Sequence, residues 1–381
     1  MAAFVGSGVA TVGRRGAVDR RVRRRTTVSV LAEGEDVKKY VAPKLDVKDG
    51  YKAPEQKRNP QLGFRFGSRK LRVFGGSNIG ELHREVASYL GKEDNEDPIV
   101  LKQFADGENY VRIQESVRGC DVFLVQSTCN PVNDSLMELL LMIDASRRAH
   151  AGQITAVIPY YGYARADRIV DGSEALSSKL VANIITKAGA DRVIVMDMHS
   201  AQSCGFFDIP VDHVYGSDVL VNYIRKKELD DIVIVSPDVG GVARARQIAK
   251  ECNDAPLAII DKRRSGHNVA EVMHVIGNVC GKTAVIVDDM IDTAGTICAG
   301  AQVLRDHGAK SVMAMATHAV FSGPAVERLS KPNLFEEVVV TNTIPLPEEK
   351  QFPQLRVVSV AETFGEAIWK VHEDYSVTFR T

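Results

Sequence analysis

The sequence contains no long uninterrupted apolar segment. Of its 381 residues 45% are hydrophobic and 25% are charged, and the apolar run 136–143 is broken by Glu138. A helix that spans a membrane needs about 20 consecutive apolar residues, so we predict no membrane segment. This composition is typical of a soluble globular protein, and the length allows two domains and a tail.

Closely spaced cysteine pairs are also lacking. The six cysteines include no C-x-x-C pair and no series of short spacings. The pattern excludes a zinc ribbon or a disulfide framework and predicts buried thiols in a reducing compartment. There is one tryptophan and no interleaving of aromatic with basic residues. We therefore predict no nucleic-acid partner.

Acidic residues are scarce at the start of the chain. Residues 1–31 carry seven arginines, no lysine and one acid, which gives a local charge of +6; the remainder, at −7, brings the total to −1. An Arg-rich, acid-poor segment predicts an organelle transit peptide. An RNA-binding arm is the alternative, because arginine clusters also bind phosphate backbones. Residues 32–66 show no sustained periodicity and predict an unstructured linker.

From Leu71 onward, apolar runs alternate with helical patterns. The runs that predict strands are 71–74, 121–126, 154–158, 192–196, 232–235, 257–260, 283–287, 312–316 and 338–340. The helical patterns are 79–90, 134–149, 175–188, 241–252, 294–307, 322–330 and 362–373. This alternation predicts an α/β fold with parallel sheets, whose ligands bind beyond the carboxyl ends of the strands.

The two halves of the chain contain a weak internal sequence repeat. Five of the eleven positions from Gly189 to His199 are repeated from Gly308 to His318. The repeat suggests two related α/β modules in tandem. We therefore divide the chain into a leader and linker at 1–66, an N-terminal domain at 67–216 and a C-terminal domain at 217–381.

The most informative motif begins at Val285. An apolar strand ends there in two adjacent carboxylates, and small or hydroxyl-bearing residues then open a helix: Asp288, Asp289, Asp292, Thr293, Ala294, Gly295 and Thr296. The N–H groups of such a loop can hold a phosphate, while the carboxylates accept hydrogen bonds from vicinal hydroxyls. The motif predicts a sugar-phosphate site. A strand-to-helix turn with an ordinary Asp cap is the alternative.

A second group of acids surrounds one histidine. Asp197 and His199 alternate at the end of a predicted strand, and Asp208 and Asp212 follow. Carboxylates with one imidazole suit a Mg²⁺ ion that accompanies phosphates. Asp238, before a glycine pair, could hold a metal or a hydroxyl. The alternatives are a structural histidine and a helix-capping aspartate.

Two further segments could bind a nucleotide by aromatic stacking and bidentate contacts. They contain Phe104, Asp106, Gly107, Glu108, Arg165 and Ala166. The physical basis is that arginine forks pair with phosphates and rings stack on bases. A surface network of ion pairs is the alternative.

The loop 261–267 is cationic and includes Lys262 and Arg264. Such side chains can close over a transferring phosphoryl group and neutralise the charge that develops on it. A solvated turn is the alternative.

Together these motifs resemble the class I ribose-phosphate pyrophosphokinase (PRPP synthetase) family, most closely its plastid type of plants and algae, from Leu71 to Thr381. The resemblance implies two phosphoribosyltransferase-like domains in tandem. It implies Mg²⁺-dependent transfer of pyrophosphate from ATP to the anomeric hydroxyl of ribose 5-phosphate, giving PRPP and AMP for nucleotide, histidine and tryptophan biosynthesis. It further implies a homo-oligomer, a hexamer, in the chloroplast stroma, with the mitochondrion as the alternative.

The resemblance also assigns roles to matching residues. The motif from Asp288 to Thr296 would hold ribose 5-phosphate. ATP would be bound by Phe104, Asp106, Gly107, Glu108, Arg165 and Ala166, and Phe104, Asp106 and Glu108 would reach from a neighbouring subunit. Mg²⁺ would be held by His199 and Asp238, with Asp197, Asp208 and Asp212 as further candidates, and Lys262 and Arg264 would stabilise the transition state. Ala166 stands where many bacterial members have glutamine, and Ala294 where glycine is common.

Two other functions share part of this pattern. A phosphoribosyltransferase would use the sugar-phosphate motif but would need neither the ATP segments nor the acids at 197–212. A regulatory homologue without activity would be expected to have lost the loop cations or the metal candidates. Lys262, Arg264, His199 and Asp238 are all present, so we expect an active enzyme.

Overall fold

Two β-sheets with helices on their faces organise the chain. The computed structural model describes residues 69–92, 98–263 and 272–377. The predicted leader and linker, residues 1–66, lie outside the described residues. None of the described helices is both long and apolar enough to cross a membrane.

The first half of the chain forms a five-stranded parallel sheet. Its elements are β1 (Leu71–Gly75), α1 (Leu82–Tyr89), β2 (Ile99–Gln103), β3 (Asn109–Ile113), β4 (Asp121–Val125), α2 (Val132–Arg148), β5 (Gln153–Ile158), α3 (Ser177–Ala188), β6 (Arg192–Met196) and β7 (Val211–Val214). The sheet order is β1-β4-β5-β6-β7, with every pair parallel. Strands β2 and β3 form a separate antiparallel hairpin.

The second half forms a seven-stranded sheet. Its elements are α4 (Ser217–Lys226), β8 (Ile232–Ser236), α5 (Val242–Glu251), β9 (Leu257–Arg263), β10 (Val272–Ile276), β11 (Thr283–Ile291), α6 (Gly295–Asp306), β12 (Ser311–Ala319), α7 (Ala325–Leu329), β13 (Glu337–Thr341), β14 (Leu355–Val358) and α8 (Ala361–His372). The sheet order is β10-β9-β8-β11-β12-β13-β14. The pairing of β10 with β9 is antiparallel, and the other pairs are parallel.

The continuous apolar strands explain why these sheets are parallel. All of β4 is buried, as are the first five residues of β11. Alternate residues enter opposite cores: Val122 and Leu124 pack on one face of the first sheet, while Phe123 and Val125 pack on the other. Strands buried on both faces belong to sheets covered by helices on both sides. The predicted α/β fold with two tandem parallel-sheet domains is confirmed.

The carboxyl ends of the two sheets meet at a joint between the halves of the chain. Cys129 and Tyr160 from the first half share an apolar cluster with Ile344 from the second. The Ser127 hydroxyl donates a hydrogen bond to the Thr343 carbonyl. Loops that leave either sheet are therefore brought to one place, where a site can draw residues from both.

Helix α8 returns from the second half to the first sheet. Its Phe364 and Ile368 lie in the same core as Phe123 of β4. Gly365 permits the close approach of α1, because a Cβ atom there would lie 2.3 Å from the Tyr89 ring. The boundaries at 67–216 and 217–381 stay predictions. The packing of α8 shows that a helix from the second half of the chain completes the core of the first sheet.

Several predicted elements differ in extent from the observed ones. Strand β11 continues to Ile291 because its carboxyl end stays paired with β12, so Asp288 and Asp289 lie within the strand. Helix α7 covers five residues rather than 322–330, because Phe321 and Gly323 before it have positive φ. The hairpin and the short strands β7, β10 and β14 were not predicted, since none has a long apolar run, and helix α4 was also missed.

Candidate functional site

Asp289 occupies the centre of the joint. It lies near the carboxyl end of β11 and is 4% exposed. Its Oδ2 atom lies 2.7 Å from Nδ1 of His199, which follows β6 of the first sheet. Its Oδ1 atom lies 3.2 Å from Nη1 of Arg244. One buried carboxylate thus joins the two sheets.

The charges around Asp289 shift the pKa values of this group. The hydrogen bond to Asp289 raises the pKa of His199, although burial of the imidazole acts in the opposite direction. Burial alone would raise the pKa of Asp289, but the hydrogen bond from His199 and the charge of Arg244 hold it well below its usual range. The arrangement therefore favours an ionised Asp289 carboxylate, which accepts a hydrogen bond from the His199 ring and faces the guanidinium of Arg244.

Arg244 was not among the predicted site residues. It lies in the first turn of α5, and its Nη1 atom also approaches Oδ1 of Asp288, at 3.5 Å. Burial and the neighbouring charge of Asp289 raise the pKa of Asp288. The sequence held a signal for Arg244, since the residue lies on the predicted helix 241–252 directly after the predicted strand 232–235. The order of the strands, which makes β8 and β11 neighbours, could not be predicted from the sequence.

The loop after β11 begins with a second link between the halves. Nη1 of Arg165, in the turn after β5, lies 2.6 Å from Oδ2 of Asp292. Partial burial acts against ionisation, but hydrogen bonds from Ser322 and Arg165 lower the pKa of Asp292. Arg165 was predicted to bind ATP and Asp292 to bind the sugar phosphate. The structure brings these two predicted groups into direct contact.

The remainder of the loop forms a tight entry into α6. Ala294 has a φ of 59°, in the left-handed region, and α6 begins at Gly295. The first turn of a helix points its N–H groups toward the loop that precedes it, and this turn includes Gly295 and Thr296. Arg328 of α7 donates to the Thr293 carbonyl at 2.9 Å. Arg328, which no spacing in the sequence indicated, places a cation beside the predicted phosphate loop.

The metal candidates do not form one cluster. Asp208, 78% exposed, pairs with Lys179 at 3.7 Å, and Asp212 pairs with Arg192 at 2.7 Å. Asp212 lies near the start of β7, opposite Ile194, whereas His199 follows the end of β6. The structure therefore places Asp208 and Asp212 toward the amino ends of the strands, away from the joint. The expectation that they gather with His199 fails because the chain after His199 returns to the amino end of the sheet before β7 begins parallel to β6.

Asp197 and Asp238 both lie at carboxyl ends of strands, but each holds a turn. Oδ2 of Asp197 accepts hydrogen bonds from the Thr317 hydroxyl and the Gly216 amide. Oδ1 of Asp238 accepts from the Gly241 amide at 2.8 Å, at the entry to α5. Oδ1 of Asp238 therefore caps α5, as the alternative interpretation of this residue predicts. Across residues 69–92, 98–263 and 272–377, no three His, Cys, Asp or Glu side chains are grouped to hold a metal.

Four of the residues predicted to bind ATP lie on the β2–β3 hairpin. Phe104 through Glu108 form the tight loop between β2 and β3, where the Phe104 amide donates to the Glu108 carbonyl at 2.8 Å. The Phe104 ring is 45% exposed and contacts the Tyr110 ring edge-on, with centroids 5.6 Å apart. Gly107 has a positive φ, and the Glu108 amide donates to Asp106. The exposed ring suits stacking on a base.

The cationic loop joins β9 to β10. The backbone of Lys262 lies within β9, opposite Met273 of β10. Arg264 lies outside the described residues. Ala166, next to Arg165, accepts a hydrogen bond from the Ser178 amide at 3.1 Å, which fixes the turn to the start of α3.

Two family models match separate parts of the chain. A family model described as the N-terminal domain of ribose phosphate pyrophosphokinase matches residues 71–189, and one described as a phosphoribosyl synthetase-associated domain matches residues 254–380. The ribose-phosphate pyrophosphokinase of Synechococcus elongatus is 66% identical over 311 residues, which are 82% of this chain and 93% of that protein. The corresponding protein of Prochlorococcus marinus (strain MIT 9313) is 62% identical over 321 residues, 84% of this chain and 96% of that one.

A solved structure is similar along the same length. The crystal structure of phosphoribosylpyrophosphate synthetase from Mycobacterium smegmatis has a TM-score of 0.75 and 45% sequence identity. The match covers 80% of this chain and all of that one. The likeness therefore extends over both sheets and the joint between them.

Arg244 is expected to stabilise the fold through the two aspartates. Replacing it with glutamine removes the cation beside Asp288 and Asp289, and we expect the free energy of unfolding to fall by roughly 2 kcal/mol. Urea denaturation measures this loss. Arg246, exposed on the same helix, supplies the control, since Arg246→Gln should change stability by less than about 0.5 kcal/mol. Equal losses in the two variants would contradict the role of Arg244.

Proposed function

The chain belongs to the ribose-phosphate pyrophosphokinase family, whose reaction forms PRPP from ATP and ribose 5-phosphate, and we propose that the joint between its two sheets is the active site. The observation that carries this proposal is the pair of links across the joint, His199 to Asp289 and Arg165 to Asp292. Each link joins a residue expected on the ATP or metal side to one expected on the sugar side. A two-substrate reaction needs such a meeting point.

Ribose 5-phosphate would bind along the end of β11 and the start of α6. The amides at Gly295 and Thr296 would receive the phosphate, as helix N-termini commonly do. Asp288 and Asp289 would accept hydrogen bonds from the ring hydroxyls. Arg328, held at the Thr293 carbonyl, adds positive charge beside the phosphate.

The residues of the first half would hold ATP opposite the sugar. Arg165 lies at the joint, and its guanidinium can pair with a phosphate as well as with Asp292. Phe104 would stack on adenine, and Asp106, Gly107 and Glu108 would shape the loop beside it. The anomeric hydroxyl then attacks the β-phosphorus, the bond from the β-phosphorus to the oxygen of AMP breaks, and the hydroxyl proton is released. Lys262 and Arg264 would neutralise the charge on the transferring group, so no covalent nucleophile is needed.

Mg²⁺ is the proposed cofactor, and two of the predicted ligands fit it. Mg²⁺ commonly uses one or two protein side chains and completes its shell with waters and substrate phosphates. His199 and Asp238 lie exposed at the carboxyl ends of β6 and β8, where a phosphate-bound ion could reach them. Bound there, the ion would orient and partly neutralise the diphosphate. Asp197 is left out of this site because it is buried, and Asp208 and Asp212 are left out because they lie before and at the start of β7, toward the amino ends of the strands.

The activity is tested with the purified full chain, ATP, ribose 5-phosphate and Mg²⁺. We expect equimolar AMP and PRPP, no product after Mg²⁺ is removed by EDTA, and recovery with excess Mg²⁺. Lys262→Ala should lower the rate about 100-fold or more, because it removes a cation from the transition state. Lys226→Ala, an exposed change on α4, should leave the rate unaltered. AMP released at the same rate with and without ribose 5-phosphate would exclude the proposed reaction.

We propose that residues 1–66 direct the chain to the plastid. The arginine-rich leader and the high identity to cyanobacterial relatives support this, since plastids descend from cyanobacteria. A fusion of residues 1–66 to a fluorescent protein should enter chloroplasts in plant or algal cells. A fusion lacking residues 1–31 should remain in the cytosol. Import into mitochondria, or cytosolic retention of the longer fusion, would overturn the plastid assignment.

We also propose that the enzyme is a homo-oligomer, and a hexamer on the strength of the family resemblance. The exposed ring of Phe104 on the β2–β3 hairpin suits a residue that reaches into a neighbouring subunit. Sedimentation equilibrium of the chain without its leader should give a mass several times that of one subunit. A monomer that retains full activity would contradict a site shared between subunits.

A further inference from the structure

Asp197 is held by two donors that come from different parts of the chain. Its Oδ2 atom accepts the Thr317 hydroxyl, from β12 of the second sheet, and the Gly216 amide at 3.0 Å. Thr317 is 2% exposed, and Asp197 is also buried. An oxygen that accepts two hydrogen bonds has both lone pairs engaged. Oδ2 of Asp197 therefore points toward Thr317 of the second sheet, and both of its lone pairs are occupied by hydrogen bonds.

The backbone of Asp197 is turned as well as its side chain. Its φ is 39°, in the left-handed region that few residues other than glycine, asparagine and aspartate adopt. The Asp197 carbonyl lies 3.3 Å from Nε2 of His318. His318 is fully buried, and burial lowers its pKa, so the neutral ring can donate through Nε2 to that carbonyl. Thr317 and His318 together fix this turn from the opposite domain.

The turn determines where His199 lies. His199 follows Asp197 by two residues, and its Nδ1 atom lies 2.7 Å from Asp289. Asp289 belongs to β11, and Thr317 belongs to β12, its parallel neighbour, with Asp288 opposite Ala316. The second sheet therefore sets both the anchor of the turn and the partner of the imidazole. A shift at Thr317 would move His199 relative to Asp289.

Gly216 leaves no spare room at this contact. A Cβ atom at Gly216 would lie 2.8 Å from Cγ2 of Thr317 and 3.1 Å from Oδ2 of Asp197. Such packing restricts the rotamer of Thr317 and keeps its hydroxyl on the carboxylate. The contact is thus defined by shape as well as by hydrogen bonds.

We propose that Thr317 is a positioning residue for the reaction, which acts through Asp197 to hold His199 against Asp289, and that Asp197 serves this link rather than Mg²⁺. The inference rests on the proposed function, because it assumes that chemistry takes place at the joint. In this role, the position of His199 depends on how the two sheets are packed against each other. Neither Thr317 nor Asp197 touches the substrates in this role.

The first test removes one hydroxyl and retains the side-chain shape. Thr317→Val should lower kcat about tenfold, equivalent to about 1.4 kcal/mol, and Thr317→Ser should recover most of the rate because it restores the donor. Thr283→Val is the matched control: Thr283 lies buried at the other end of β11, where it accepts the Ser311 hydroxyl at 3.1 Å. Its kcat should stay within about twofold of the wild type. A kcat unchanged in Thr317→Val, or not recovered by Thr317→Ser, would overturn the proposal.

The second test separates positioning from metal binding. Asp197→Asn retains an oxygen acceptor and tolerates left-handed backbone, so the Mg²⁺ concentration for half-maximal rate should change less than about twofold. Loss of a metal ligand would instead raise that concentration about tenfold or more, and this result would refute the role given to Asp197. The measurement stands even if Thr317→Val does not fold.

A binding measurement separates this inference from the proposed function. Ribose 5-phosphate should raise the melting temperature of Thr317→Val as much as that of the wild type, because β11 and α6 are unchanged. A wild-type enzyme that forms no PRPP would refute the proposed function. A wild-type enzyme that forms PRPP, beside a Thr317→Val variant of equal kcat, would refute only the positioning role.

Discussion

The ionised carboxylate of Asp289 is the interaction on which the rest of the site depends. It is buried at the end of a central strand, and a buried charge is tolerated only when it is paired and hydrogen-bonded. His199 from one sheet and Arg244 from the helix beside the other provide those partners. Because the partners come from separate parts of the chain, the carboxylate is fully satisfied only when both sheets are folded and in contact. The geometry of the site therefore depends on the association of the two sheets.

The joint surrounds this charge with an apolar cluster and further polar links. Cys129, Tyr160 and Ile344 exclude water on one side, and hydrogen bonds such as that from Ser127 to Thr343 fix the relative position of the strand ends. A low local dielectric strengthens the electrostatic contacts within it. The same environment strengthens contacts to a phosphorylated substrate, and the chemistry of phosphoryl transfer needs fixed charges rather than a reactive side chain.

The sequence was sufficient for features that repeat along the chain or occupy adjacent positions. Apolar runs predicted the parallel sheets, and the motif from Asp288 to Thr296 predicted a carboxylate pair before a helix. It was insufficient where the answer depends on which strands become neighbours. Arg244 and Arg328 reach the site because β8 and β12 flank β11, an order that sequence spacing does not state. Asp208 and Asp212 were grouped with His199 because they are close in sequence, whereas strand direction separates them.

Helix α8 has a consequence for the order in which the protein is made. The apolar face of the first sheet that carries Phe123 is closed by Phe364 and Ile368, near the end of the chain. During translation this sheet is synthesised well before the helix that covers it. The N-terminal half therefore cannot complete its core as an independent unit before α8 has been made, in contrast to domains that fold one after another. The core of the first half thus depends on a segment that lies more than two hundred residues further along the chain.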